Sequence, residues 1–189
     1  MSAPASAGTP LEIKAAGSLA TIAEDGTFEG YAALFGRVDL GRDLILPGAF
    51  AASLNERGTG GVRLLFQHDP AEPIGVWEEL REDALGLKVR GRLTLEVARA
   101  REVLALMRAG AIDGLSIGFR AVEGRTEPRM RVRRLSRIDL WEISIVTFPM
   151  QPEARIAAVK GGWSAGRLAA TIRRGARRLR ALPALAPVG

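Results

Sequence analysis

The sequence has no cysteine and a single histidine, His68, among its 189 residues. Without cysteine, a disulfide framework, a thiolate metal site and a cysteine nucleophile are all excluded. One histidine cannot build a histidine-rich metal centre, and a zinc enzyme would need mostly carboxylate ligands, which is uncommon. We therefore expect no metal and no other cofactor.

Long apolar runs are also missing. No stretch approaches the roughly 18 apolar residues of a membrane helix, and the N-terminus lacks the basic start and apolar run of an export signal. Apolar residues make up 47% and charged residues 25% of the chain, as in ordinary globular domains. We expect one soluble folded domain with no membrane partner.

Positive charge is concentrated at the C-terminus. The net charge is +6, and residues 161–189 contain six arginines and no acidic residue, so residues 1–160 are neutral overall. This pattern predicts a disordered lead at 1–10, a folded domain at 11–160 and a basic amphipathic helical tail at 161–189. A neutral domain argues against nucleic-acid binding by the domain itself. The tail could contact nucleic acid, an anionic surface or an acidic protein.

Strand patterns dominate the domain. Apolar alternation and turn residues predict strands near 11–23, 28–35, 62–67, 74–80, 85–93, 115–120 and 138–148, with helices at 51–58 and 96–109. Many short strands with one clear helix predict an α+β fold, mainly a closed or nearly closed β-barrel with a few surrounding helices. Seven arginines between 120 and 137, without interleaved aromatics, predict a solvated hairpin rather than a nucleic-acid site.

Three side chains are candidates for chemistry. Ser116 lies in a G-x-S-x-G motif, although the only histidine precedes it, which is the wrong chain order for an α/β-hydrolase. A serine nucleophile needs a base, and His68 is the one side chain that ordinarily titrates near neutral pH. Glu142 interrupts an apolar strand, on which strict alternation gives it the same face as Leu140 and Ser144. It could orient the imidazole.

Other interpretations of these residues remain open from sequence alone. His68 could be a turn residue, Ser116 a tightly packed serine between glycines, and Glu142 the partner of an arginine. Asp69 and Asp139 compete with Glu142 for the orienting role, and a lysine could replace the histidine as base. A non-catalytic β-barrel protein, of assembly or of nucleic-acid binding, is the alternative class.

Five segments carry a family resemblance in order along residues 11–158. They are GYAALFGRVD, DLILPGAF, LLFQHDPAEPIGVW, RAGAIDGLSIGF and IDLWEISIVTFPMQPEA. In these segments the chain resembles the prohead maturation proteases of HK97-like tailed phages, which are related in fold to the herpesvirus assemblin proteases. The resemblance implies a barrel of the assemblin type and a serine endopeptidase.

The resemblance also implies residue roles and partners. Ser116 would be the nucleophile, His68 the base and Glu142 the third catalytic residue. The expected substrate is the scaffolding segment of the major capsid protein, cleaved inside the assembling procapsid in the host cytoplasm, followed by self-cleavage. Further expectations are a contact with the portal, assembly into a homo-oligomer, and a tail that tethers the protease to the acidic scaffold.

Overall fold

The computed structural model describes residues 23–157. The predicted lead at 1–10, the strand expected before residue 23 and the tail helix at 161–189 lie outside this range. The elements are the strands β1 (Thr27–Leu34), β2 (Asp43–Ile45), β3 (Arg63–Phe66), β4 (Asp69–Glu82), β5 (Gly86–Leu93), β6 (Gly114–Glu127), β7 (Val132–Val146) and β8 (Ile156–Ala157), the helices α1 (Ala51–Arg57) and α2 (Ala98–Arg108), and a 3₁₀ turn at Thr59–Gly61.

The predicted strands and helices in the described range are confirmed, with shifted ends. The strand expected from Ile74 begins at Asp69, despite Pro70 and Pro73. Its pairing with β3 is irregular there, and proline, which has no N–H to donate, is tolerated where a ladder is irregular. The arginine-rich segment 120–137 is a hairpin, as expected. Most of it is strand, and its turn is confined to residues 128–131.

A single curled sheet forms the body of the domain. The strand order is β2-β7-β3-β4-β5-β1-β8, and β6 pairs with the opposite edge of β7. Arg155, just before β8, bridges to Gly114 on β6, and Leu115 N–H donates to the Ala154 carbonyl at 2.9 Å. These contacts bring the two ends of the sheet together. The predicted nearly closed β-barrel is confirmed.

The barrel is filled by aliphatic side chains from every long strand, with few aromatic residues. Phe28 packs edge-on against Trp77 at a centroid distance of 5.7 Å, and both are buried. Helix α2 contributes its apolar face, as the sequence periodicity predicts. That face consists of Ala100, Val103, Leu104 and Met107.

Helix α1 fills a gap beside β7. On one edge, β7 pairs with β2 at 133–135 and with β3 at 142–145, so the backbone between them needs other partners. Helix α1 and the residues before it supply them, since Ile138 N–H donates to the Ala49 carbonyl at 3.0 Å and Leu140 N–H donates to Ser53 Oγ at 2.8 Å.

A β-bulge corrects the expected alternation on β7. In the register with β6, Gly118 faces Glu142 while the next residue, Phe119, faces Leu140, so β7 carries one extra residue. Leu140 therefore joins the core with Ile143 and Ile145. The expectation that Leu140 shares a face with Glu142 is wrong. The bulge lets β7 keep a continuous core face while Glu142 points away from it.

Replacing Ser53 tests the junction between α1 and β7. In Ser53→Ala the buried Leu140 N–H loses its acceptor, and we expect the free energy of unfolding to fall by about 1–3 kcal/mol. Urea denaturation followed by circular dichroism measures the change. An unchanged midpoint and slope would show that this hydrogen bond does not hold the junction.

Candidate active site

The site is centred on the C-terminal half of β7, which lies between β3 and β6. Ser144 on β7 is opposite Leu65 on β3 and opposite Ser116 on β6. Three strands distant in sequence thus bring His68, Glu142 and Ser116 to one region. The loop that carries His68 follows directly from the end of β3.

His68 lies in a strained turn between β3 and β4. Gln67 and His68 have φ values of 54° and 61°, in the left-handed region that residues with a Cβ seldom adopt. The turn is tied to β7, because Gln67 N–H donates to the Ile145 carbonyl at 3.1 Å and the Gln67 side-chain amide donates to Thr147 Oγ1 at 2.7 Å. These bonds fix where the imidazole leaves the backbone.

His68 and Glu142 form the central pair of the site. The distance from His68 Nδ1 to Glu142 Oε1 is 2.7 Å, and the side chains are 41% and 14% exposed. A carboxylate only accepts hydrogen bonds, so Nδ1 carries the proton and donates it to Glu142. In the neutral imidazole Nε2 is then the basic nitrogen, as a general base requires.

The hydrogen bond to Glu142 and the charge of that carboxylate raise the pKa of His68 above its ordinary value, against the opposing effect of burial. Other charged groups near this turn have their own partners. Asp69 accepts the Ala71 N–H at 2.8 Å, and Arg63, beside Glu142 in the register, donates to the Gly60 carbonyl at 2.9 Å.

On the other side of the turn, Arg99 of α2 lies over the Phe66 ring and pairs with Glu72 at 3.1 Å. Both charges of this pair are already neutralised by each other. Among the described groups around the imidazole, Glu142 is thus the one that hydrogen-bonds to it.

Ser116 lies on the same face of the sheet as Glu142. A Cβ built on Gly118, two residues along β6 from Ser116, would collide with Glu142 Oε1, so side chains at 116 and 118 point toward the Glu142 side. Ser116 is 4% exposed and borders a cavity of about 120 Å³. No hydrogen bond joins its Oγ to another described side chain, and catalytic hydrogen bonds are often long before substrate binds.

The second glycine of the G-x-S-x-G motif has a steric role here. Because the Glu142 carboxylate lies over Gly118, any larger residue at 118 would displace the group that hydrogen-bonds to His68. The first glycine, Gly114, is similarly crowded by the Val146 carbonyl and Pro149. The motif therefore reflects close strand packing, not the nucleophile elbow of the α/β-hydrolases.

The competing acids and bases lie elsewhere. Asp139 pairs with Arg57 at 2.7 Å and accepts the Trp141 indole N–H, while Asp69 turns toward its own loop. Lys88 lies on β5 and pairs with Glu29 of β1 at 3.9 Å. Lys14 and Lys160 lie outside the described residues.

The arginines of the 120–137 hairpin extend away from Ser116. The first of them, Arg120, is four residues along β6, roughly 13 Å by strand rise. Its guanidinium lies 3.5 Å from Asp139. Farther along, Arg134 and Arg137 pair with acids of the hairpin itself, and Arg133 pairs with Asp43 of β2. A different arginine, Arg37, lines the cavity beside Ser116.

Sequence reasoning missed a group of exposed apolar residues in the two segments that border this cavity, which we call the apolar rim. The rim consists of Val38, Leu40, Phe148 and Met150, which are 41%, 69%, 89% and 45% exposed. Leu40 N–H donates to the Met150 carbonyl at 2.9 Å, so the two segments are joined, and Met150 itself lines the cavity with Ser116. The available signal in the sequence was an aromatic residue, Phe148, directly before Pro149, where the proline is expected to end the strand.

Comparison with known proteins places this geometry in a family. Residues 10–167 match the family of the caudovirus prohead serine proteases. The chain belongs to that family. The matched range includes every strand that contributes to the site, and it includes all five segments that resemble the family.

Individual relatives agree with the family match. The chain is 40% identical over 139 residues to the prohead protease of Enterobacteria phage HK97, covering 72% of this chain and 61% of the relative. It is 33% identical over 105 residues to a capsid polyprotein of Pseudomonas phage PAJU2, covering 52% of this chain and 16% of that protein. The chain thus spans about three-fifths of the length of the HK97 protein.

The fold also has solved counterparts. The bacteriophage T4 capsid assembly protease, gp21, superposes with a TM-score of 0.50 and 17% identity, covering 64% of this chain and 80% of that chain. The KSHV protease gives a TM-score of 0.48 and 14% identity, covering 85% and 82%. The T4 likeness supports the same barrel fold. Within residues 23–157, no helix is long and apolar enough to cross a membrane.

Because His68 is the single histidine, its imidazole signals can be followed without overlap, and they report on the His68–Glu142 pair. We expect the His68 imidazole of the wild type to titrate with a pKa above 6.5, and Glu142→Gln to bring this pKa down to its ordinary value or below, because only burial then acts on it. The imidazole C–H signals followed by NMR across pH give both values.

Glu79→Gln is the matched control for this titration. Glu79 pairs with Arg81 on the surface of β4, and its loss should leave the His68 pKa unchanged. Equal His68 pKa values in the wild type and in Glu142→Gln would contradict the assignment of Glu142.

Proposed function

We propose that this protein is the serine endopeptidase of phage capsid maturation, which cleaves the scaffolding segment of the major capsid protein inside the procapsid and then cleaves itself. The observation that carries the proposal is the His68–Glu142 hydrogen bond beside Ser116, in a member of the prohead serine protease family. The similarity to a capsid polyprotein supports a substrate among capsid subunits.

The reaction uses the three side chains in the usual order for a serine protease. His68 Nε2 takes the proton from Ser116 Oγ as Oγ attacks the scissile carbonyl carbon, and Glu142 stabilises the imidazolium that forms. Nε2 then gives the proton to the leaving amine as the C–N bond breaks. Water, activated by the same nitrogen, hydrolyses the acyl-enzyme and regenerates Ser116.

The developing oxyanion needs hydrogen-bond donors on the cavity side of Ser116. The segment after β7 reaches this cavity through Met150 and Gln151 and offers backbone N–H groups, and Arg37 lines the same cavity. Gln151 anchors the segment, since its side chain accepts the Leu34 N–H and donates to the Leu34 carbonyl at 3.0 Å.

The substrate reaches Ser116 along the open edge of β6. On this edge the Leu115 N–H donates to the Ala154 carbonyl. From Ser116 onward, no described strand pairs with the edge. Alternation makes Ile117 the next residue to present its N–H and carbonyl there. An extended peptide can add to this edge through backbone hydrogen bonds. Its side chains then meet the apolar rim.

Ser116→Ala tests the nucleophile. We expect cleavage of a co-expressed capsid precursor to be lost, with the fold unchanged, because the nucleophilic oxygen is removed from a nearly buried position. Gel electrophoresis and intact mass of the precursor give the outcome. Ser136→Ala, on the arginine hairpin, is the control that should cleave normally. Continued cleavage by a folded Ser116→Ala protein would overturn the proposal.

Phe148→Ser tests the apolar rim as a substrate contact. Losing an exposed aromatic that substrate would cover should raise KM about tenfold while changing kcat little, which corresponds to about 1.4 kcal/mol of binding. The assay uses a peptide that spans a cleavage junction mapped by mass spectrometry. Met130→Ser is the control, because Met130 is 57% exposed at the far turn of the hairpin.

Equal KM values for Phe148→Ser and Met130→Ser would show that the rim does not bind substrate. Light scattering on the same two variants tests whether the rim instead joins copies of the chain. A change in particle mass for Phe148→Ser, but not for Met130→Ser, would show such a contact.

A further inference from the structure

Ser144 joins the two members of the central pair. Its hydroxyl donates to Glu142 Oε2 at 2.7 Å and accepts the backbone N–H of His68 at 3.0 Å. The side chain is fully buried. One hydroxyl therefore contacts both the carboxylate and the residue that the carboxylate orients.

The two oxygens of Glu142 have separate partners as a result. Oε1 accepts His68 Nδ1–H and Oε2 accepts the Ser144 hydroxyl. The terminal torsion of a glutamate side chain is soft, with a broad range of allowed angles. Holding both oxygens fixes the plane of the carboxylate and aims one oxygen at the imidazole.

The backbone contact acts on His68 itself. His68 has a φ of 61°, which costs free energy and persists only where the surroundings enforce it. The His68 N–H points at a buried acceptor on the neighbouring strand, and losing that acceptor would favour relaxation of the turn. Ser144 thus orients the imidazole ring through the Glu142 carboxylate and holds the backbone of the turn through the His68 amide.

We propose that Ser144 is a positioning residue that holds Glu142 and the His68 turn in the geometry in which Nδ1 is bonded to the carboxylate and Nε2 is left as the basic nitrogen. Its effect on catalysis rests on the proposed protease function, whereas its effect on the imidazole does not. Ser144 is not an alternative nucleophile, because its proton is engaged by Glu142 and its oxygen by the His68 amide.

The strand position of Ser144 fits this role. It is the β7 residue paired on one side with β3, which leads into the His68 turn, and on the other side with Ser116 of β6. A small side chain with both a donor and an acceptor suits this fully buried position where three strands meet. Alanine fits the space and lacks both functions.

The imidazole signals of His68 in Ser144→Ala give a test that needs no substrate. We expect the pKa of His68 to fall toward 6.5, by less than in Glu142→Gln, because the carboxylate stays near the ring but loses its orientation. Ser53→Ala is the matched control. It also removes a buried hydroxyl that accepts a backbone N–H next to β7, and it should leave the His68 pKa unchanged.

Kinetics then separate positioning from general destabilisation. For Ser144→Ala we expect kcat to fall about tenfold, as for loss of a group that orients a functional histidine, with KM little changed. In a double-mutant cycle with Glu142→Gln the second substitution should add almost nothing. Ser53→Ala should keep wild-type kcat despite its lower stability.

Two outcomes overturn the proposal. The first is a His68 pKa in Ser144→Ala equal to that in Ser53→Ala, and the second is additivity of Ser144→Ala and Glu142→Gln in kcat. If Ser144→Ala does not fold, hydrogen exchange of the His68 amide in the wild type tests the contact with Ser144. An amide bonded to Ser144 is protected from exchange, and an unprotected amide contradicts the proposal. If the wild type itself cleaves no capsid precursor, the protease function is rejected instead, and the effect of Ser144 on the His68 pKa is not affected by that result.

Discussion

The site depends on one hydrogen bond, from His68 Nδ1 to Glu142 Oε1, between a strained turn and a bulged strand. The bulge on β7 removes the carboxylate from the core face without interrupting the aliphatic residues on either side. The left-handed turn after β3 brings the imidazole back over β7. Neither feature alone would place the imidazole beside Glu142.

The rest of the barrel keeps this arrangement rigid. Helix α1 satisfies the stretch of β7 that β2 and β3 leave unpaired, and the bridge between Arg155 and Gly114 holds β6 at the closing edge of the sheet. Gly118 leaves room for the carboxylate. Packing, backbone pairing and the site thus share β7 but use different residues of it, since α1 and the residues before it bond to Ile138 and Leu140 while the site uses Glu142 and Ser144.

The sequence was sufficient to predict the long strands and the barrel, and it singled out the three candidate residues. Alternation is local, and His68, Ser116 and Glu142 stand in motifs that can be recognised along the chain. The bulge was not predictable, because alternation alone puts Leu140 on the wrong face. Ser144 and the apolar rim were missed for the same reason, since their contacts depend on a register between segments far apart in sequence.

The central claim is that Ser116 is activated by His68 under the control of Glu142. Labelling with a fluorophosphonate, followed by peptide mass spectrometry, tests it directly because such reagents acquire a bond only from an activated serine oxygen. The account predicts one adduct, on Ser116, that disappears in His68→Ala and is slowed in Glu142→Gln. An adduct on another serine, or labelling of Ser116 that persists without His68, would contradict it.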